Sequence, residues 1–443
     1  MLVPTKPQTR EIHCAPKHHP CPRCGVKGVR DRLCVRLVRS LAFGREAWLH
    51  IHYAEYKARC GCCKTFRSCP SDVMPKGDYD DRVRRTVVDR LIEDDLNVER
   101  TRLSMKREFL LDLSVGFIYD CLDWALRQLN LSEARNEAIA FFSGTLCIDE
   151  LHLGKRIALV ATDPLSNRIV AFALISVNDQ AHMRRFLLML KHWGLRPALV
   201  VSDGSTLYPA LLREILPWAA HQLCIFHVIQ DINKKVLDAL RRLRNCQSRK
   251  GNSGRKRKRG GRSKAAKKQR ERRGPTLKEK SAFVFKHRFL IVKRAEKLNE
   301  KEKQALAQMI EYLPELRVLT QFAQEVYKLW QTDQSQKVAK WRWSRLKNKQ
   351  EYQEVPELNK VLEWMTPEKF KKTQAFFHQP PKERIKTNNH VERVNRKLRF
   401  DEKVRYKFRS SKSIVRFFLL RIDRCNAHAR REIVDSVPSD TPD

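Results

Sequence analysis

The chain is short of acids and has no long apolar run. Of its 443 residues, 50 are Asp or Glu and 90 are Lys or Arg, a formal charge of +40 with a pI near 10.1. The longest apolar stretch, Ile169 to Val177, falls far below the roughly 20 residues that a membrane-spanning helix needs. The N-terminus also lacks the apolar region of a signal peptide. Nor are the cysteines spread as in a secreted disulfide scaffold: eight of the 13 lie in the first 69 residues and the others stand singly. These absences lead us to expect a soluble, intracellular protein in a reducing compartment, without membrane contact. With 42% hydrophobic residues there is material for a core, so the charge describes a folded surface. That surface suits a polyanion, with nucleic acid the commonest candidate.

The pattern along the chain divides it. Residues 1–70 hold the cysteine cluster and two alternating stretches, Cys34 to Val38 and Trp48 to Tyr53, separated by Phe43-Gly44-Arg45, which predicts a hairpin. Over 71–135 the period becomes helical: Val83, Val87 and Leu91, then Val115, Ile118, Leu122 and Leu126 with Ser114 as N-cap, suit a helix-turn-helix. Residues 140–240 read as α/β. Strands are expected over Leu146 to Leu151, Ile157 to Ala161, Ile169 to Val177 and Ala198 to Val201, helices near Asp179 to Trp193 and Leu207 to Leu216, and a last strand-like run over Gln222 to Val228. Asp163 and Pro164 mark a turn.

The run Arg255-Lys256-Arg257-Lys258-Arg259 cannot form a core and predicts a DNA-contacting arm. Helical stripes follow, Leu306, Met309, Ile310 and Leu313, then Leu319, Phe322, Ala323 and Val326, with Pro314 as the break. Residues 241–385 thus read as a helical insertion. Residues 386–430 carry a final helix of the α/β core, and 431–443 a tail.

Cys21-x-x-Cys24 and Cys60-Gly-Cys62-Cys63, with 35 residues between the pairs, predict four thiolates around one structural Zn²⁺. Cys60 and Cys63 are the preferred second pair, and Cys62 competes. Asp149 and Asp203 interrupt β-branched apolar runs, where a charge is costly unless paired or coordinating a cation. Carboxylates are the ligands that Mg²⁺ prefers. Two-metal nucleotidyl transfer in a ribonuclease H-like fold uses one acid on the first strand, one after the fourth and one on a late helix, the order of Asp149, Asp203 and Glu392. Each has a plainer reading. Glu150 rivals Asp149 from the opposite strand face, and Asp203 could cap a turn. Glu392 follows Asn389 at capping-box spacing. On the helix that Glu392 begins, Val391, Val394 and Leu398 form an apolar stripe, while Glu392, Asn395, Arg396 and Arg399 share a polar face. Asp401 and Glu402 read as helix-end charges. Cys224-Ile-Phe-His227 reads as a core thiol and a helix-start histidine.

Together these residues resemble the DDE transposases of bacterial insertion sequences, specifically the zinc-ribbon type called the IS-L-three family. Cys21-x-x-Cys24 with Arg59-Cys60-x-x-Cys63-x-x-Phe66 looks like its zinc ribbon. Asp149, Asp203 and Glu392 align with its catalytic triad, and Asn389-x-x-Glu392-x-x-Asn395-x-Lys397 is similar to its terminal signature. The resemblance implies a ribonuclease H-like core with a helical insertion, preceded by a zinc ribbon and a helix-turn-helix. It implies Mg²⁺ or Mn²⁺ at the triad and binding to double-stranded DNA at the element's terminal inverted repeats, with Arg396 and Lys397 among the contacts. A homo-oligomer on paired ends and a cytoplasmic, nucleoid-associated location are expected. Cys224, His227 and Asn395 are accessory candidates. A DNA-binding regulator with a non-catalytic core, or a nuclease that cleaves without joining, are the alternative functions.

Overall fold

The structure, a computed structural model, describes residues 8–74, 76–250, 275–405 and 408–436. The basic run Arg255 to Arg259 lies outside the described residues.

The first sheet comprises β1 (Gln8–Cys14), β2 (His18–Pro20), β3 (Lys27–Ala42), β4 (Arg45–Lys57) and β5 (Thr65–Arg67), ordered β1-β4-β3-β2 with β5 also on β4. The expected hairpin is β3–β4, closed at Ala42↔Arg45. Gly44 supplies the turn's positive φ of 70°, which costs a residue without a Cβ least. Sequence alternation did not reveal β1, a largely polar segment that pairs in parallel with β4.

Helices follow as α1 (Asp81–Ile92), α2 (Val98–Phe109), α3 (Val115–Gln128) and α4 (Leu131–Ala140). Val83, Val87, Leu91, Ile118 and Leu122 are buried together, as their spacing predicts, whereas Val115 in the first turn of α3 is exposed and Leu126 only half-buried; the Ser114 hydroxyl accepts from Phe117 N at 3.1 Å.

The second sheet holds β6 (Thr145–Leu153), β7 (Arg156–Asp163), β8 (Arg168–Ile175), β9 (Leu199–Ser202) and β10 (Ala220–Leu223), with α5 (Gln180–His192) and α6 (Tyr208–Ile215) between the later strands. Its order is β10-β9-β6-β7-β8; β7 is antiparallel to both its neighbours, β6 and β8, and β9 and β10 run parallel to β6. The apolar run from Gln222 does not continue as a strand to Val228. β10 pairs with β9 only over Ala220 to Leu223, and α7 (Ile225–Lys250) starts two residues later. That helix also runs through the break expected at 240.

The insertion continues with α8 (Leu277–Lys286), α9 (Glu300–Tyr312), α10 (Leu316–Lys328), α11 (Gln336–Lys347), α12 (Gln350–Gln353), α13 (Pro356–Trp364) and α14 (Pro367–Lys372), which share one core with α7. Met309 and Leu313 share that core with Leu319, Phe322 and Val326, and Leu306 and Ile310 pack against it half-buried. The chain then returns through α15 (Asn389–Val404) and α16 (Ser411–Ser436).

The second sheet is covered on both faces. Leu146 and Ile148 of β6 pack toward Met183, Phe186, Tyr208 and Leu211 of α5 and α6. Cys147 and Leu151, one residue out of phase, pack toward Val391, Leu398, Ile414 and Phe418 of α15 and α16. Such two-sided burial explains why these strands read as continuous apolar runs. Asp401 is not a helix-end charge. It is 1% exposed, accepts from Arg421 at 2.6 and 3.0 Å, and the same guanidinium also reaches Asp95. α15 runs past it to Val404, which turns it inward against α16.

Candidate active site

Three carboxylates meet at the edge of the second sheet. Asp149 and Glu150 occupy successive positions of β6, and Asp203 follows the last residue of β9. β9 pairs with β6 only over Thr145 to Cys147, so beyond Cys147 the edge of β6 is open on that side. Asp149 and Glu150 do take opposite faces: Asp149 accepts from Asn395 of α15 at 2.8 Å, and Glu150 from the Tyr208 hydroxyl of α6 at 2.9 Å. Yet around the open edge one oxygen from each of Asp149, Glu150 and Asp203 lies within 4.8 Å of the others. Glu150 is therefore a member of the cluster rather than a rival to Asp149. The Asp203 carboxylate accepts from Ser205 N at 2.9 Å, a turn within the chain, and does not cap α6.

Glu392 belongs to a second group. One oxygen of Glu392, the Cys224 sulfur and a ring nitrogen of His227 lie within 4.8 Å of one another, with His227 Nε2 at 3.8 Å from Glu392 Oε1. The helix-cap reading of Glu392 does not hold. Asn388, not Asn389, is the N-cap of α15 and its side chain caps nothing; it donates instead to the Ile148 carbonyl of β6 at 2.9 Å. Glu392 Oε1 is buried without a hydrogen-bond partner. A buried, unpartnered carboxylate oxygen is costly, and an ion at the site removes that cost. Cys224 receives the Asn388 backbone N–H on its sulfur at 3.2 Å, so the thiol and the histidine both act on the start of α15.

The electrostatics agree with the crowding. Burial, then repulsion from Glu150, raises Asp149 to about 6, against the hydrogen bond from Asn395. Burial also raises Glu150, opposed by Tyr208 and aided by Asp203. His227 is pushed up to about 9, chiefly through its hydrogen bond with Cys224 and also by the charges of Glu392 and Asp203, against burial. Among the described residues, none of Asp149, Glu150, Asp203 and Glu392 forms an ion pair with Lys or Arg; the one basic partner is His227, beside Glu392. In a protein with 90 such cations, three convergent carboxylates, Asp149, Glu150 and Asp203, without one fit divalent metal ions, whose oxygen preference matches this donor set.

At the other end of the chain the sulfurs of Cys21, Cys24, Cys60 and Cys62 lie within 4.8 Å of one another, and Cys63 Sγ is 3.7 Å from Cys21 Sγ. All the expected thiols are brought together, with Cys62 in the mutual set. Backbone N–H groups of Arg23 and Cys24 lower Cys21 to about 6, whereas burial and the neighbouring Cys21 raise Cys63 to about 11. A thiol predisposed to ionise among four others fits a Cys₄ zinc site. Arg396 and Lys397 of α15 are exposed. No helix among the described residues is long and apolar enough to cross a membrane.

A mixed α/β protein whose acidic, metal-compatible centre sits in a strongly basic chain belongs to the class that handles polyanions. The family can be named more closely. A family model described as a transposase, of the IS-L-three type, matches residues 146–416, well over half of the chain, and the protein belongs to that family. No curated protein matches it. Membership brings nucleotidyl transfer, DNA binding and divalent-metal use as general properties.

Proposed function

We propose that the protein is a DDE transposase that binds the terminal inverted repeats of its insertion sequence, cleaves the strand at the element's end and joins the freed 3′-hydroxyl to target DNA. The carrying observation is the convergence of Asp149, Glu150 and Asp203 without a Lys or Arg partner among the described residues, while Glu392 groups with Cys224 and His227. The sheet order, with three antiparallel strands followed by two parallel ones, supports a ribonuclease H-like core, and the helices from α7 to α14 would be its insertion. The cysteine-bearing sheet would be a zinc ribbon, held by Cys21, Cys24 and Cys60 with Cys62 or Cys63. α1 to α4 would form the helix-turn-helix region.

Mg²⁺ or Mn²⁺, held by Asp149, Asp203 and Glu392 with Glu150 beside them, would supply activation of the attacking oxygen and stabilisation of the leaving one. The protein's own contribution is placement. Asn395 orients Asp149 through one oxygen. Tyr208 does the same for Glu150. His227, pushed up to about 9, stands 3.8 Å from the Glu392 carboxylate. Arg396 and Lys397, on the helix that bears Glu392, are placed to meet phosphates, as the sequence also suggests for Arg255 to Arg259. Two ends processed together imply at least two copies of the chain.

The test is metal-dependent strand cleavage on DNA carrying the inverted repeats that flank the gene. Asp203→Ala is expected to abolish cleavage and joining while leaving end binding within about twofold of wild type. Cleavage that survives the substitution refutes the assignment, and joint loss of binding points to misfolding, which circular dichroism separates.

A further inference from the structure

α11, Gln336–Lys347, carries five cations, Lys337, Lys340, Arg342, Arg345 and Lys347, and no acid. One side of it is core: Ala339 and Leu346 are buried, and Trp343 stacks on Phe370 with ring centroids 5.1 Å apart. The other side leaves Trp341 59% exposed. A tryptophan is rarely so open, because the indole hides a large apolar area when it can; Trp330, nearby in sequence, is 2% exposed and donates to Thr373. Lys337 lies one turn before Trp341 and Arg345 one turn after it, the latter with its guanidinium 5.5 Å from the ring centroid. Arg342 is held by the Lys328 carbonyl and the side chains of Gln331 and Gln334. Among the described residues Lys337, Lys340, Arg345 and Lys347 have no acidic partner. Like charges along one helix face repel, so an isolated α11 surface is unfavourable until an anion covers it.

The loop before this helix is bonded to the segment that leads into α15. Lys386 donates to the Trp330 carbonyl at 2.6 Å and Arg384 to the Gln334 carbonyl at 3.1 Å, so the loop entering α11 is pinned by the segment that leads to Glu392. The same segment accepts from Ile225 N at 3.0 Å through Lys386. A planar ring ringed by unpaired cations matches one chemistry: the cations take the phosphates of a nucleic-acid strand and the indole takes the face of a base. In an intact duplex both faces of a base are occupied by its neighbours. An unpaired or unstacked base, such as strand cutting leaves at a DNA end, offers a free one.

We propose that Trp341, flanked by Lys337, Lys340 and Arg345, is a stacking platform for a base unpaired at the DNA end held by the carboxylates. This rests on the transposase reading and adds a second, non-catalytic contact to it. The experiment compares binding of two DNAs of equal length and sequence, one fully paired and one forked at an end, to full-length protein carrying Asp203→Ala so that neither is cut. A 2-aminopurine placed at the fork reports stacking. Trp341→Ala and Trp341→Leu are expected to lower the preference for the forked DNA about tenfold and to abolish the fluorescence change, with the paired DNA bound within about twofold, whereas Trp341→Phe keeps most of both. Equal weakening on the two DNAs, no change on either, or a leucine variant that behaves like wild type overturns the platform; the first would leave only charge, the second a face meant for another partner. A protein that prefers the fork through Trp341 yet cleaves no DNA with Asp203 restored would keep the platform and refute the transposase reading.

Discussion

Replacing Asp149 with asparagine should stabilise the metal-free protein while destroying its activity. Asp149 is raised from an ordinary value of 3.8 to about 6 by burial and by Glu150. An acid with a raised folded-state value binds its proton more tightly folded than unfolded. Its ionisation therefore costs nothing below about pH 4, and the cost grows as pH rises to about 6 and then stays constant. A rise of that size corresponds to about 3 kcal/mol. The amide introduced by Asp149→Asn would present an oxygen to the Asn395 amide, keeping the 2.8 Å contact, and remove the charge. The variant is thus expected to gain about 2 to 3 kcal/mol over wild type at pH 7.5, and little at pH 4. Urea unfolding in chelator at the two pH values measures this. Mg²⁺ or Mn²⁺ should then stabilise the wild type by binding the folded state and leave the variant nearly unmoved. A variant no more stable at pH 7.5 than at pH 4, relative to wild type, refutes the cost assigned to burying this charge beside Glu150; an equal metal response in both proteins refutes Asp149 as a ligand.

Two further outcomes follow from the remaining clusters. Removal of zinc by a strong chelator is expected to unfold the first sheet while the rest of the chain stays folded, seen as loss of hydrogen-exchange protection confined to residues 8–70; Cys62→Ser and Cys63→Ser should differ in zinc content, and equal, full occupancy in both variants would remove them as ligands. Asp401→Ala should cost roughly 3 to 5 kcal/mol, because Arg421, 2% exposed, loses its main partner in a buried ion pair; a loss below about 1 kcal/mol in urea unfolding would mean that Asp95 alone satisfies the guanidinium.

The sequence was most legible where one period dominates. Strands buried on both faces leave apolar runs, so β6 to β9 could be read off, and the stripes of α9 and α10 were visible because one face is core and the other wet. It was least legible where a residue's role depends on a partner distant in the chain. Nothing local distinguishes Asp401 from a solvated helix charge; its burial is set by Arg421 on another helix. Glu150 looked like the wrong face of a strand, and only the early end of the β9 pairing shows that both faces reach the same edge. β1 hid because Gln8–Cys14 is mostly polar and gains its place by backbone pairing with β4. The choice between Asn388 and Asn389 as the cap, a shift of one residue, decides whether Glu392 is used up by its own helix.

That shift also explains why α15 can serve the site as a unit. Asn388, Glu392 and Asn395 stand four and three residues apart, on one side of a helix. The first donates to the Ile148 carbonyl of β6, the second faces His227 of α7, and the third donates to Asp149, the residue after Ile148. One helical face thus grips β6 at two neighbouring points and holds Glu392 between them, while Cys224 fixes the Asn388 backbone from the end of β10. Rotation of α15 by one residue would break all of these contacts together, so the position of Glu392 relative to Asp149 is set by helix register rather than by any flexible loop. Placing the acids on packed elements keeps Asp149, Glu150 and Asp203 close together before any cation arrives, and the cost of that preorganisation is visible in the raised Asp149.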